Sequence, residues 1–221
     1  MTESATRAAA RPDVTMMRIA HRAMIHDAAR FAALTAQVAA GAPCPPARAA
    51  AIAEYLNLLC DSIHHHHTVE DEHMWPILLA AAGPAIVVDE LEDDHVQLDA
   101  LLHTLRERAN ALGAPHADPA SVAAALTETL DALAALLREH IAEEERVVFP
   151  VVDRYVRVTD WARVEKAAKK GGKLSFEAPR IARHADDVER ARLLAEAGPV
   201  IRALLGLMTR RFDKREARIA G

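Results

Sequence analysis

The segments HHTVEDEHMWP at residues 66–76 and HIAEEERVVFP at residues 140–150 decide the fold of this chain. Each begins with a histidine, has a glutamate four residues later, and ends in an aromatic residue followed by proline. His66 corresponds to His140, so the offset between the segments is 74 residues, and the same offset places His21 on His95. A repeat at a fixed offset predicts two similar structural units along the chain.

Apolar residues around these motifs recur at three- and four-residue spacing, which is the pattern of amphipathic helices. We predict helices at residues 13–39, 46–75, 85–112 and 119–149, separated by segments that contain glycine and proline. Short connections make consecutive helices antiparallel. The predicted fold class is therefore all-α: an up-down-up-down four-helix bundle built from two similar helical hairpins, with additional C-terminal helices.

The same pattern divides the chain into three regions. We expect a flexible N-terminus at residues 1–12, the bundle at residues 13–155, and a C-terminal helical extension at residues 156–221. Within the extension we predict a helix at 161–170 and a helical region from residue 181 that breaks at Gly198-Pro199. Pro76 and Pro150 are expected to stop or kink their helices.

Composition narrows the classes of function. The chain has 27 basic and 32 acidic side chains, a net charge of −5, which argues against nucleic-acid binding through a general positive field. The most apolar segment, residues 77–88, is too short to span a bilayer, so no membrane partner is expected. The two cysteines lie outside any C-x-x-C motif and the N-terminus has no apolar signal region, which predicts a cytoplasmic protein.

Twelve histidines are the unusual feature of the composition, and the repeat gives some of them a reason to bind metal. Residues four apart lie on one face of a helix, so each His-x-x-x-Glu pair can converge on a single point. The two remaining repeated histidines lie in phase with the apolar stripes of the other helices, and helices pack close enough for all these groups to meet. The predicted metal ligands are His21, His66, Glu70, His95, His140 and Glu144.

Such a cluster is costly without a cation, because buried polar groups need partners and neighbouring carboxylates repel each other. Nitrogen and oxygen donors without sulfur suit iron, manganese, zinc or nickel, and carboxylates that can bridge favour two ions over one. We expect no catalytic residue beyond the metal centre itself.

Two further residues are lower-ranked candidate ligands. His67 begins a second His-x-x-x-acid pattern, but His66 is preferred because it lies ten residues before a proline, as His140 does. Asp99 lies one turn beyond His95 and is the other candidate, either as a ligand or as a hydrogen-bond acceptor.

The remaining polar and aromatic residues of the motifs receive structural roles. Asp71 and Glu145 correspond in the repeat, but each adjoins a predicted glutamate ligand, and adjacent helix positions point apart, so solvated side chains are expected. His73 is expected to pack near the site without binding metal. Trp75 and Phe149 are expected to fill the end of the bundle.

The complete order of histidine, His-x-x-x-Glu, histidine, His-x-x-x-Glu resembles the hemerythrin-like (HHE cation-binding domain) family, bacterial type, over roughly residues 13–155. The resemblance implies two iron ions in a non-haem di-iron centre, with both glutamates bridging and the histidines terminal. Oxygen-carrying hemerythrins have a second histidine where this chain has Asp99, and a bridging aspartate where it has Glu144. These differences argue against reversible oxygen carriage.

The resemblance also implies a function. It favours a protein that binds or reacts with a small oxidant (oxygen, nitric oxide or hydrogen peroxide) in a response to oxidative or nitrosative stress, including an oxidoreductase acting on peroxide or nitric oxide. The alternative is an iron- or redox-sensing module that signals through its C-terminal helices without turnover. A homodimer or a partner protein that contacts those helices is the expected macromolecular interaction.

Overall fold

The structure is a computed structural model that describes residues 11–114 and 118–221. Over these ranges the chain forms helices and no strand, which confirms the all-α prediction. Most of the expected flexible N-terminus, residues 1–10, lies outside the described residues. The α-helices are α1 Thr15–Ala39, α2 Pro46–Val69, α3 Trp75–Ala82, α4 Asp89–Gly113, α5 Pro119–Tyr155, α6 Val158–Gly171, α7 Leu174–His184, α8 Asp187–Glu196 and α9 Pro199–Ala220.

Helices α1, α2, α4 and α5 form the bundle. Helix α5 packs on α1 and α4, and α4 packs on α2, whereas α1 and α2 make few direct contacts. Helix α7 lies against α1, and α9 lies against α2, so the extension covers the face between these two helices. Phe176 of α7 and Phe212 of α9 join the apolar core of the bundle beside Tyr55 of α2.

The two repeated prolines do not end their helices, so of the two expected effects, a stop or a kink, the stop is wrong. Helix α5 continues through Pro150 to Tyr155, because Val151 and Val152 just beyond the proline are buried in an apolar cluster. Before Pro76 the chain forms a π-helical turn, Glu70–Met74, and then resumes as α3. In a regular helix a proline ring clashes with the carbonyl four residues earlier. For Pro76 that carbonyl belongs to Glu72, which lies within the wider π-helical turn.

Helix α5 is also the one helix among the described residues whose length and composition would allow it to cross a membrane. Its apolar window has a mean hydropathy of 1.5. Leu126, Leu130, Leu133 and Leu137 of this helix are fully buried in the bundle core. The apolar stripe of α5 therefore has a partner within the fold, as expected for the core helix of a bundle.

Candidate metal centre

A layer of polar side chains crosses the bundle between two apolar clusters. One cluster fills the long part of the bundle and the other closes one end. On α4, for example, Leu98 belongs to the first cluster, Leu91 to the second, and His95 lies between them. The structure brings all six predicted ligands into this layer. All are buried except His66, whose side chain is 17% exposed.

In one half of the layer, imidazole nitrogens face both glutamates. The Nε2 atom of His21 lies 3.1 Å from Nε2 of His66 and 3.3 Å from Oε2 of Glu144. The Nε2 atom of His66 lies 2.7 Å from Oε1 of Glu70. These four side chains therefore point their potential ligand atoms at one small volume.

The other half has three imidazoles and one carboxylate, that of Glu70. The Nε2 atom of His95 lies 3.3 Å from Nε2 of His140 and 3.4 Å from Oε2 of Glu70. The ring of His67 stacks on that of His95, with 4.3 Å between their centroids. His67, the lower-ranked candidate, is therefore buried within the cluster. Its repeat counterpart is Ile141, which is why the repeat gave it no support.

The potential ligand atoms form two groups that share one carboxylate. Within each group, the atoms lie within 4.8 Å of one another. The groups are His21, His66, Glu70 and Glu144, and His67, Glu70, His95 and His140.

Carboxylates outside the cluster accept hydrogen bonds from the repeated histidines and so fix their orientation. The Nδ1 atom of His21 donates to Oε1 of Glu145 at 2.9 Å, and that of His95 donates to Oδ1 of Asp71 at 2.7 Å. Both acids do contact solvent, with exposed side-chain fractions of 45% for Asp71 and 26% for Glu145, but the expectation missed that each also binds the histidine of a neighbouring helix. The signal was present in the sequence: Asp71 and Glu145 correspond at the same 74-residue offset as the histidines that they hold.

A third histidine is held in the same way. The Nδ1 atom of His140 donates to Oδ2 of Asp94 at 3.3 Å. A carboxylate that accepts a hydrogen bond keeps the proton on Nδ1, so the lone pair of Nε2 is directed into the cluster. This tautomer is the one required for binding a metal ion through Nε2.

The aromatic residues of the two motifs cover the same histidines. Phe149 stacks on His21 and Trp75 on His95, each with 6.1 Å between ring centroids. Both aromatic side chains belong to the cluster at the end of the bundle, which confirms that they fill it. They separate the polar layer from solvent at that end.

Two predictions about neighbouring residues were wrong. Asp99 is not in the cluster: its side chain is 53% exposed and accepts a hydrogen bond from His64 at 3.0 Å. Residues four apart on a helix differ in direction by about 40°, and here that rotation carries Asp99 to the surface while Leu98 faces inward. His73 lies in the π-helical turn and is exposed, so it is not packed inside the bundle.

The residues of the layer fit a cation. Both carboxylate oxygens of Glu70 and of Glu144 are buried without a hydrogen bond, as is Nδ1 of His67. Imidazole nitrogens lie 2.7–3.4 Å from three of these oxygens, but not in the orientation of a hydrogen bond. Burial, with the charge of Asp71, raises the pKa of Glu70, and burial, with the charge of Glu70, raises that of Glu144. Burial also lowers the pKa of His66 to about 3. A divalent ion would supply the missing partners and remove the cost of holding these groups unpaired.

Comparison with protein-family models supports this assignment. The model of the hemerythrin HHE cation-binding domain matches residues 13–152. Comparison with curated proteins and with solved structures gave no match. The matched region contains every residue of the polar layer, and it covers more than half of the chain. The chain therefore belongs to the hemerythrin HHE cation-binding family, whose members bind metal.

Proposed function

We propose that this protein holds a non-haem di-iron centre that binds or reacts with a small oxidant: oxygen, nitric oxide or hydrogen peroxide. The observation that carries the proposal is the convergence of imidazole Nε2 atoms on two buried carboxylates with no hydrogen-bond partner. Two ions fit better than one because the two groups of ligand atoms share Glu70, whose two oxygens face different histidines.

The donor set supports iron, since imidazole and carboxylate ligands without sulfur suit this metal. When bound, an iron pair would supply electrons and exchangeable coordination positions to the oxidant. The chain's own residues hold the ligands in place and keep bulk water out. Glu145 and Asp71 fix the orientation of His21 and His95, and the apolar clusters on both sides of the layer restrict access to small molecules.

We place the protein in the cytoplasm as part of this proposal. Cys44 and Cys60 are free thiols, which suits a reducing compartment. An oxidoreductase that consumes peroxide or nitric oxide there would act in oxidative or nitrosative stress.

Anaerobic reconstitution with ferrous iron tests the proposal. We expect two irons per chain, near-ultraviolet charge-transfer bands after exposure to oxygen, and a further spectral change with nitric oxide or peroxide. The double variant His66→Ala/His140→Ala should lose the iron. The matched control is His103→Ala, because His103 is an exposed histidine of α4 that pairs with Glu107 on the same helix. Full iron retention in the double variant, or no iron in the wild type, would overturn the proposal.

A sensor without turnover is the second candidate, and contacts of the extension favour it. The Nε2 atom of His65, next to a proposed ligand, donates to the carbonyl of Ala168 in α6 at 3.0 Å. A change in metal loading at His66 can therefore reach the C-terminal helices through one residue of α2. For a sensor, we expect negligible peroxide consumption, and chelation should make residues 156–221 sensitive to protease. Rapid peroxide consumption by the iron-loaded protein would exclude it.

A further inference from the structure

A second cluster of metal-ligating side chains lies between the bundle and the C-terminal extension. His26 and Asp27 are consecutive residues of α1, and His184 is the last residue of α7. They line a cavity of about 260 Å³ that also borders Tyr55 and Arg180. None of the three belongs to either ligand group of the bundle centre.

The geometry of this cluster resembles an incomplete coordination shell. The Oδ1 atom of Asp27 lies 3.7 Å from Nδ1 of His26 and 3.8 Å from Nε2 of His184. These separations are too long for hydrogen bonds. They are close to the spacing of ligands that each lie about 2.0–2.2 Å from a shared ion. The two imidazole rings are 4.7 Å apart, and all three ligand atoms lie within 4.8 Å of one another.

Asp27 is positioned so that one oxygen remains available. Its Oδ2 atom accepts hydrogen bonds from Tyr55 Oη at 2.9 Å and from Nε of Arg180 at 2.6 Å. Its Oδ1 atom faces the two histidines and also lies 4.0 Å from Nε of Arg30, which is too far for a hydrogen bond. Burial alone would raise the pKa of Asp27, but the histidines and Arg180 hold it well below its ordinary value. The carboxylate is therefore ionised and fixed, as expected of a ligand oriented by outer hydrogen bonds.

The charges around the cavity do not exclude a cation. Arg30 pairs with Glu216, Arg183 with Asp213, and Arg180 with both Asp27 and Glu177. The cavity itself is lined by these three guanidinium groups and by the carboxylate of Asp27, and the other three carboxylates pair with the guanidinium groups from outside the lining. The positive charge of the arginines is therefore offset by ion pairs. An anion would have to displace carboxylates that are already paired.

We propose that His26, Asp27 and His184 bind a divalent transition-metal ion such as zinc, at a site separate from the bundle centre. Two imidazoles and one carboxylate suit zinc, and water completes the shell because His26 is 59% exposed. The bound ion joins α1 to the end of α7, so it attaches the extension to the bundle. The proposal stands on its own contacts and does not depend on iron or on oxidant chemistry.

Zinc titration with measurement of bound metal per chain tests the proposal. The background is His66→Ala/His140→Ala, which removes ligands of the bundle centre, and the wild type is measured beside it. In both proteins, introducing the further substitutions His26→Ala/His184→Ala should lower the bound zinc by one equivalent per chain. Introducing His103→Ala instead should leave the bound zinc unchanged. Protease cleavage between α7 and α8 should be slowed by zinc only when His26 and His184 are present.

The side chain of His26 is largely exposed, so His26→Ala alone keeps the fold and still lowers zinc affinity at this site. Circular dichroism in chelator verifies the fold of each variant. Unchanged zinc content and affinity in folded variants that lack His26, or lack both histidines, would overturn the proposal. Iron content at the bundle centre should be the same in the wild type and in His26→Ala/His184→Ala, which separates this test from that of the proposed function.

Discussion

Replacing Arg180 with methionine should destabilise the protein strongly, because this guanidinium is almost completely buried against a buried carboxylate. Arg180 is 1% exposed and Asp27 2%, and they are joined at 2.6 Å. Arg180 also donates to Ser62 of α2 at 3.0 Å. Arg180 therefore connects α7 to α1 through Asp27 and to α2 through Ser62.

The magnitude follows from what remains after the substitution. Removing one partner of a buried ion pair costs about 3–5 kcal/mol, because the other charge stays buried and uncompensated. Tyr55 still donates to Asp27, which favours the lower half of that range. With a urea m-value of about 3 kcal/mol/M for a chain of this size, the unfolding midpoint should fall by about 1 M. Asp27→Asn combined with Arg180→Met should cost less than the sum of the two single changes.

Urea unfolding in chelator, followed by circular dichroism, measures this effect. Arg183→Met is the matched control: it lies three residues away on the same helix, but its side chain is 45% exposed and pairs with Asp213. Its removal should cost less than about 1 kcal/mol. If Arg180→Met costs no more than Arg183→Met, the buried pair does not attach the extension and the reasoning fails.

Three other predictions concern the metal centre, the thiols and the core. Glu145→Ala should weaken metal binding about 10–100-fold in a chelator competition, because Glu145 orients a ligand histidine. Glu143→Ala should leave metal binding unchanged, since exposed Glu143 pairs with Arg146 on the surface of the same helix. Burial raises the pKa of Cys60 to about 12, so a thiol reagent at pH 8 should modify Cys44, which is partly exposed, and leave Cys60 unmodified in the native protein. Both cysteines should react after unfolding, and equal rates for the two in the native protein would contradict the prediction. Leu133→Ala should lower the free energy of unfolding, measured by urea denaturation, by about 2–5 kcal/mol, because Leu133 is fully buried. A loss below about 1 kcal/mol would show that the core rearranges to fill the cavity.

The internal repeat was sufficient to predict the bundle and the six candidate ligands of its polar layer that the repeat itself contains. It worked because the apolar spacing and the polar positions recur together, and only a shared centre requires both. The repeat could not predict His67, whose counterpart Ile141 is apolar. The repeat does show that Asp71 and Glu145 correspond, but it does not identify their partners, because these lie on other helices and spacing within one helix says nothing about contacts across the bundle.

The extension was harder to predict for a different reason. Its helices have no counterpart in the repeat, and an apolar stripe does not reveal which surface it covers. The stripe at Val200, Ile201 and Leu204 is exposed in the structure, whereas Phe176 and Phe212 make the contacts with the bundle. Packing of these aromatic rings depends on the gap between α1 and α2, which only the assembled bundle defines.

The space between α1 and α2 gives the C-terminal extension a structural role that the repeat does not indicate. In a symmetric arrangement of two hairpins, every bundle helix would pack on two others, yet here α1 and α2 make few direct contacts. Tyr55 on this face is 1% exposed because Phe176 and Phe212 lie against it. Without the extension this aromatic surface would face water at a cost proportional to its area. Residues 156–221 therefore complete the bundle core, and the boundary of the repeat near residue 155 does not mark an independent packing unit.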